Sequence, residues 1–213
     1  MKERPILFTP PMVRAILKER KTQTRRVVKI THRTPGLAAC LEPPHGLRCR
    51  PTVAAELCPY GQPGDRLWVR ESFDVPYRQN FPGDRSAAVY RADYLRPTFL
   101  DPCVGDDSSR WSPSIHMPRW ASRITLEVVA VRVERVQDVS RDDAIAEGLH
   151  RFTSNLGARN SSPVTLYAPS PGDEGGYMSP IEAFENLWDS INAKRGHSWA
   201  SNPWVWVVKF RQT

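Results

Sequence analysis

Two stretches of apolar residues at helical spacing predict amphipathic helices near the two ends of the chain. The first follows Thr9, a helix N-cap candidate, and tolerates the prolines after it because the first amides of a helix have no partners. The second follows the capping box that begins at Ser179 and ends before Gly196. The apolar positions are Met12, Val13, Ile16 and Leu17 in the first helix, and Ile181, Phe184, Leu187, Trp188 and Ile191 in the second.

Alternating or continuous apolar runs predict strands over much of the remaining chain. In the longest run the apolar phase changes at Val128 and Val129, which predicts a bulge or bend. The run from Trp204 to Phe210 is apolar on both faces and therefore predicts a central, covered strand. The other predicted strands are Pro5–Thr9, residues 21–30, Arg66–Phe73 and Ala87–Ala92.

The order of these elements predicts one α+β domain over residues 1–213. We expect a small, bent, mostly antiparallel β-barrel with flanking helices. A short third helix is predicted from the capping box at Ser140 to the stop at Gly148. Residues rich in proline, glycine or serine predict three long, irregular loop insertions, at about 31–58, 94–118 and 150–178.

Positive charge is concentrated at the start of the chain. Residues 1–50 carry a net charge of +9, whereas the remainder carries −2. Such a cluster attracts anions, above all nucleotides and nucleic acids, although a solvated basic face that only favours solubility remains an alternative. Because no stretch approaches the ~18 apolar residues of a membrane helix, we expect no membrane partner.

The chain start and the cysteines favour a cytoplasmic protein without a metal or cofactor. Ile6–Phe8 is too short for the apolar region of a signal peptide, and a reducing compartment keeps cysteines as thiols. A zinc site is an alternative, but the cysteine spacing fits no zinc knuckle. Its ligands would be Cys40, Cys49, Cys58 and either His45 or His32. The sequence also lacks the motifs of Rossmann enzymes, kinases and common hydrolases.

Two motifs carry a resemblance to a known family. The run Glu-Arg-Lys-Thr-Gln-Thr-Arg at 19–25, followed by Gly-Asp-Arg-Leu-Trp-Val at 64–69, resembles the ASCH domain family, and in particular the ASCH proteins common in bacteriophages. The resemblance implies the PUA-like barrel fold and an association with RNA or modified-nucleoside chemistry. It covers residues 1–29, 59–93, 120–149 and 180–212.

Within that family, bacterial N4-acetylcytidine amidohydrolases use a lysine as proton acceptor, a threonine as nucleophile and a glutamate as proton donor. The resemblance assigns these roles to Lys21, Thr24 and Glu147. A lysine acts as a base only when neutral, so either desolvation or neighbouring positive charge has to lower its pKa. Arg20, Arg25 and Arg26 are the candidates for that effect and for binding substrate.

The geometry of this site makes a specific demand on the backbone. Lys21 and Thr24 would point to opposite faces of a regular strand, so the functional interpretation requires an irregular backbone between them. Glu147 is predicted to lie in the last turn of its helix, where the negative end of the helix dipole disfavours a carboxylate. Such a position would raise the pKa of Glu147, which suits a proton donor. The alternatives are a solvated or phosphate-binding lysine, a backbone-capping threonine and an exposed glutamate.

Further polar and aromatic residues are candidates for substrate binding. Glu71 shares a strand face with three apolar residues and needs a partner, unless it lies at an exposed edge. His116 and Arg119 precede the long strand and are predicted to contact a phosphate or a base edge, with a purely structural histidine as the alternative. Tryptophans could stack on a base, although core packing is favoured for them. They are Trp68, Trp120, Trp204 and Trp206.

Three functions remain open from the sequence. The first is an amidohydrolase that removes an acyl group from the N4 amine of a modified cytidine. The second is a non-catalytic module that binds RNA or modified nucleic acid through the same cleft. The third, a metal-dependent ribonuclease, is the weakest because no compact cluster of acids and histidines is present. The expected partner is a modified nucleoside or RNA, and the oligomeric state is not predicted.

Overall fold

The computed structural model describes residues 1–29, 41, 55–75, 88–93, 111–154, 163–171 and 175–213. The helices are α1 (Pro10–Leu17), α2 (Arg141–Ala146) and α3 (Pro180–Asn192). The strands are β1 (Glu3–Leu7), β2 (Gln23–Val27), β3 (Arg66–Arg70), β4 (Phe73–Asp74), β5 (Val89–Tyr90), β6 (Thr125–Arg135), β7 (His150–Ser154), β8 (Val164–Ala168) and β9 (Trp204–Gln212). The protein is therefore α+β, as predicted. Each helix in these ranges is too short or too polar to cross a membrane.

A mixed five-stranded sheet organises the molecule. Its strand order is β1-β3-β6-β9-β2, in which β1 runs parallel to β3 and all other neighbours are antiparallel. The β9 strand lies between β6 and β2 and is buried on both faces, which confirms the prediction of a central strand. In β6 the pairing register shifts between Val128 and Ala130, so the predicted bulge is confirmed.

The described strands do not close into a barrel. Besides the sheet they form two antiparallel pairs, β4 with β5 and β7 with β8. The edge strands β1 and β2 nevertheless approach each other at one end, where the Arg26 guanidinium donates a hydrogen bond to the Leu7 carbonyl. The sheet is thus bent enough for one arginine side chain to join its two edges.

The prediction of an irregular loop over residues 150–178 is wrong in part. The β7–β8 hairpin occupies this stretch, and Tyr167 of β8 pairs further with Tyr177. Leu166, Tyr167 and Ala168 are buried, so packing stabilises the hairpin. The polar, glycine-rich residues around these positions favoured a loop in the sequence. Most of the other two predicted insertions, residues 30–40, 42–54 and 94–110, lies outside the described residues.

Two hydrophobic cores cover the faces of the sheet. On one face α1 packs through Val13 and Ile16 against residues such as Phe8 and Val208. On the other face α2, α3 and Tyr167 pack against Val205 and Val207 of β9. The β2 strand lies at the edge between these two cores, so alternate side chains of one strand enter different environments.

A close contact joins the end of α2 to the chain that enters β2. Lys21 and Glu147 form an isolated antiparallel bridge, and the Thr22 amide donates to the Ala146 carbonyl at 3.0 Å. Gly148 follows with a φ of +100°, a conformation that side chains with a Cβ rarely adopt. A Cβ at this position would lie 2.9 Å from Lys21 Cβ and 3.0 Å from Ala15 Cβ. Glycine therefore permits the approach.

We predict that Gly148→Ala lowers the free energy of unfolding by more than Gly196→Ala. Both glycines have positive φ, which costs an alanine roughly 1–2 kcal/mol. Only Gly148 adds a steric clash, which is worth about 1–3 kcal/mol more, because a Cβ at Gly196 meets nothing within 4 Å. Urea denaturation of the two variants measures the difference. Equal losses would show that the contact between α2 and the chain before β2 is not tight.

Candidate active site

The structure brings together two of the three predicted catalytic residues. Lys21 Nζ donates to Glu147 Oε2 at 2.9 Å and to the Glu147 carbonyl at 2.8 Å, although the residues are 126 positions apart. Lys21 is 2% exposed and Glu147 is 5% exposed. A buried ammonium and a buried carboxylate at this distance form a strong, weakly screened pair.

Local backbone geometry explains the position of Lys21. Glu19 adopts a left-handed conformation with a φ of 56° just after α1 and reverses the chain. The amides of Arg20 and Lys21 then both donate to the Ala15 carbonyl, at 2.9 and 3.1 Å. Regular β2 pairing begins only at Gln23, so the backbone between Lys21 and Thr24 is irregular, as the functional interpretation required.

Thr24 lies on the face of β2 that looks toward the α1 core. It pairs with Val208, which packs in the same core as Phe8, and the Phe8 ring centroid lies 5.7 Å from Lys21 Nζ. Thr24 is 3% exposed. Within the described part of the chain, no hydrogen bond joins its hydroxyl to Lys21 or Glu147. The structure thus places Thr24 on the Phe8 side of β2, without a hydrogen bond to the pair among the described residues.

Arg25 extends from the opposite face of β2 and contacts three carboxylates. Its Nη1 donates to Glu147 Oε1 at 3.0 Å, and its Nη2 donates to Glu134 Oε1 at 2.6 Å. Nη2 also lies 3.5 Å from Asp143 Oδ2. The Arg25 side chain is 1% exposed, and its guanidinium lies 5.5 Å from the centroid of the Phe184 ring. The predicted arginine is therefore part of a buried ionic cluster.

Arg132 completes this cluster from the solvent side. Its Nε donates to Glu134 Oε2 at 2.8 Å and its Nη2 to Asp143 Oδ2 at 2.6 Å. Although burial opposes it, the charges of Arg132, Arg25 and Lys209 together hold the pKa of Asp143 below its ordinary value. We call Arg25, Arg132, Glu134, Asp143 and Glu147 the arginine–carboxylate cluster.

Burial lowers the pKa of Lys21. The loss of hydration is the main cause, and the positive charges of Arg26 and Arg25 act in the same direction. The Glu147 carboxylate acts in the opposite direction but does not outweigh burial. Lys21 therefore releases its proton more readily than an exposed lysine, which a lysine base requires.

The other two predicted arginines make backbone contacts. Arg20 Nη1 donates to the carbonyls of Gly148 and Leu149 at 3.1 and 3.2 Å and so fixes the chain after Glu147. Arg26 lies on the Thr24 face of β2, 5.2 Å from the centroid of the Phe8 ring. Their predicted role in binding substrate stays a prediction.

Glu71 has a protein partner instead of a place in this site. It is 1% exposed and accepts two hydrogen bonds from Arg123, at 2.9 and 3.2 Å. Burial raises the pKa of Glu71 despite this partner. Arg123 also binds Asp93 and lies 3.9 Å from the centroid of the Tyr90 ring. The sequence predicted that the acid needs a partner, and Arg123 fulfils that need.

His116 and Arg119 also lie apart from the Lys21–Glu147 pair. His116 is exposed in a short turn, and Arg119 pairs with Glu3 at 3.0 Å. Among the described residues, no ion pair links either of them to the site. Of the four tryptophans, Trp206 is fully buried, and Trp204 is partly buried against the α1 core, as predicted.

A cavity of about 630 Å³ borders the site, and Glu147 is one of the residues that line it. Its volume is within the roughly 300–1,000 Å³ typical of small-molecule sites. Glu147 and Gly148 form part of its wall, between α1, α3 and the chain after β8. The polar residues of the wall include Thr9, Ser170, Tyr177, Asn186 and Ser190, and the apolar ones include Pro11, Met12, Leu187 and Ile191. The cavity can therefore accept a compact ligand with both polar and apolar edges.

The described residues offer no metal centre. No group of three or more histidine, cysteine or acidic side chains among them is arranged to hold an ion. Cys58 is a buried thiol, and burial raises its pKa to about 11. The other residues of the alternative zinc site lie outside the described ranges, namely Cys40, Cys49, His32 and His45.

The sequence did not indicate the partners of Arg25. In the sequence, Glu134 and Arg132 are recognisable only as polar positions of a long strand. Asp143 was predicted only as part of a helix cap. The signal that could have found them is strand register, because Arg25 and Arg132 both pair with Val207 of β9 from its two sides.

Comparisons with known proteins gave no relative: no family model matches the chain, and no curated protein or solved structure matches it. The resemblance to the ASCH domain family is thus neither supported nor contradicted, and the site is interpreted from its own geometry.

We predict that Lys21 contributes more to stability as the pH rises. Its pKa is lower in the folded protein than the value of about 10.4 in an unfolded chain, so the unfolded state binds more protons between these two values. The free energy of unfolding of the wild type should therefore rise relative to that of Lys21→Met as the pH increases over the alkaline range towards about 10.4. Chemical denaturation across this range measures the difference.

Lys194→Met, at an exposed lysine, is the matched control for the loss of one positive charge. A difference between wild type and Lys21→Met that shrinks as the pH rises would contradict the lowered pKa of Lys21.

Proposed function

We propose that the protein is an amidohydrolase that removes an acyl group from the exocyclic N4 amine of a modified cytidine, such as N4-acetylcytidine. The observation that carries the proposal is the buried Lys21–Glu147 pair at 2.9 Å, with Glu147 in the wall of the cavity. The motif at 19–25 and the placement of Glu147 match the family that the sequence resembles. The substrate is a modified nucleoside or the same nucleoside within RNA.

The bent sheet supports the corresponding fold proposal. A PUA-like (ASCH) barrel requires a sheet that curls until its edges meet. The bulge in β6 and the hydrogen bond from Arg26 to Leu7 are features of such a sheet. We propose this fold for the chain on that basis, with α1 to α3 as the flanking helices.

The reaction needs a nucleophile, a base and an acid. In the proposed mechanism the Thr24 hydroxyl moves within hydrogen-bond distance of neutral Lys21, which accepts its proton while the Thr24 oxygen attacks the acyl carbon. Glu147 donates a proton to the N4 nitrogen as the C–N bond breaks, which releases cytidine. Water then attacks the acyl-threonine ester, which releases the carboxylic acid and restores the hydroxyl and the two protonation states.

The Lys21–Glu147 pair can reach the required protonation states internally. Transfer of one proton over the 2.9 Å hydrogen bond converts an ammonium and a carboxylate into an amine and a carboxylic acid. Burial of Lys21 favours the neutral form of the pair because it penalises charge. A substrate that fills the cavity excludes further water and acts in the same direction.

The cavity suits a pyrimidine nucleoside better than a large or charged ligand. Hydroxyl groups of Thr9, Tyr177 and Ser190 and the amide of Asn186 can donate to and accept from sugar hydroxyls and base edges. Met12 provides an apolar contact surface. Glu147 is the acidic residue among the described residues of the wall, and the proposal assigns it the role of proton donor to the leaving amine.

Binding of RNA without catalysis is the second candidate function. It is favoured by the net charge of +9 in residues 1–50 and by two arginines beside Trp68. The guanidinium carbons of Arg70 and Arg119 lie 5.3 and 5.9 Å from the centroid of the Trp68 ring. The third function considered from the sequence, a metal-dependent ribonuclease, has no support among the described residues, because they contain no group of three or more histidine, cysteine or acidic side chains that could hold a metal ion.

We expect the purified protein to convert N4-acetylcytidine into cytidine and acetate. Lys21→Ala and Glu147→Gln should each lower kcat by about 10²–10⁴-fold, because each removes a proton-transfer group. Liquid chromatography of the nucleosides and an enzymatic assay for acetate measure the two products.

Glu127→Gln is the matched control, since it removes a carboxylate that pairs with exposed Arg211 on another part of the sheet. Turnover should not change in this variant. A folded wild-type protein that releases no cytidine from acetylated or longer-chain acylated substrates would exclude the hydrolase and leave the binding function.

A further inference from the structure

Arg25 and Lys21 each donate a hydrogen bond to a different oxygen of the Glu147 carboxylate. Arg25 Nη1 binds Oε1 at 3.0 Å, while Lys21 Nζ binds Oε2 at 2.9 Å. With one cation on each oxygen, the carboxylate plane is fixed from both sides. Rotation of this group would break at least one of two charge-assisted hydrogen bonds in a buried environment.

Arg25 is itself held in place by a separate set of acids. Its Nε and Nη2 both donate to Glu134 Oε1, at 3.2 and 2.6 Å, and Asp143 lies nearby. Arg132 in turn binds Glu134 and Asp143. The planar guanidinium therefore has a defined orientation, which a lysine at the same position would not have.

The charged groups around Lys21 come from two segments. Glu147 faces it from the end of α2, whereas Arg25 and Arg26 face it from β2. The Phe8 ring covers Lys21 from the segment between β1 and α1, at 5.7 Å from its centroid. Arg25 is unusual among these groups because it contacts the partner of Lys21 and also repels the Lys21 ammonium.

We propose that Arg25 is a positioning residue that holds Glu147 Oε1 so that Oε2 stays against Lys21. In this position the charge of Arg25 also favours the neutral form of Lys21. The catalytic consequence rests on the proposed hydrolase function, whereas the effect on Lys21 does not. Glu134, Asp143 and Arg132 serve to orient Arg25. These four residues thus act through Glu147 and Lys21 and do not touch the substrate.

Two variants separate the charge of Arg25 from its shape. Arg25→Gln removes the charge, and Arg25→Lys keeps the charge but loses the planar group that spans Glu147 and Glu134. Nuclear magnetic resonance of the lysine side chains follows the titration of Lys21 directly, because the chain has only six lysines. The signal of Lys21 is identified by its loss in Lys21→Arg.

In Arg25→Gln we expect the titration midpoint of Lys21 to rise, because a repelling charge has been removed. In Arg25→Lys the midpoint should stay near that of the wild type. Both variants should lower kcat for N4-acetylcytidine by about 10-fold or more with little change in KM, since Glu147 is no longer held. Arg211→Gln, at an exposed ion pair, should change neither quantity.

A Lys21 midpoint in Arg25→Gln that equals or lies below that of the wild type overturns the proposal. If Arg25→Gln does not fold, Arg25→Lys decides: full kcat in that variant also overturns it. A wild type without turnover rejects the proposed function instead, and the titration of Lys21 still decides the role of Arg25.

Discussion

Burial of a charged pair is the constraint on which the rest of this structure depends. Lys21 and Glu147 are almost fully removed from solvent, and a buried ion needs compensating hydrogen bonds. The Glu147 carbonyl gives Lys21 a second acceptor, and Arg25 gives Glu147 a second donor. The cluster extends from there to partly exposed groups such as Arg132, where water can solvate the outermost charges. The contacts that form the candidate active site therefore also stabilise the fold.

The position of β2 between two cores explains how one short motif serves this site. Arg25 enters the layer of α2 and α3, whereas Thr24 and Arg26 enter the layer of α1 and Phe8. Lys21 lies before the regular strand begins, so it follows neither alternation and can reach the end of α2. Neighbouring residues of this motif thus place their side chains on both faces of one sheet, and Glu147 lies at the sheet edge between the two faces.

Patterns that depend on neighbouring residues were predictable from the sequence. Ser140 and Ser179 cap their helices through their side chains, and β9 is the covered strand that its apolar residues indicate. Contacts that depend on strand register were not predictable, because a polar residue in a strand does not specify its partner. Glu134 in the cluster and Arg123 beside Glu71 are examples. Lys21 and Glu147 were linked by the family resemblance alone, since nothing local joins positions 126 apart.

The bond from Arg26 to the Leu7 carbonyl has a consequence for behaviour in concentrated solution. Both β1 and β2 end the sheet among the described strands, and exposed edges can recruit strands of other molecules into aggregates. Because the Arg26 guanidinium donates a hydrogen bond to the Leu7 carbonyl, this carbonyl is not available as an acceptor for an incoming strand. The arginine that draws the two edges together therefore removes one backbone acceptor from the exposed edge of β1.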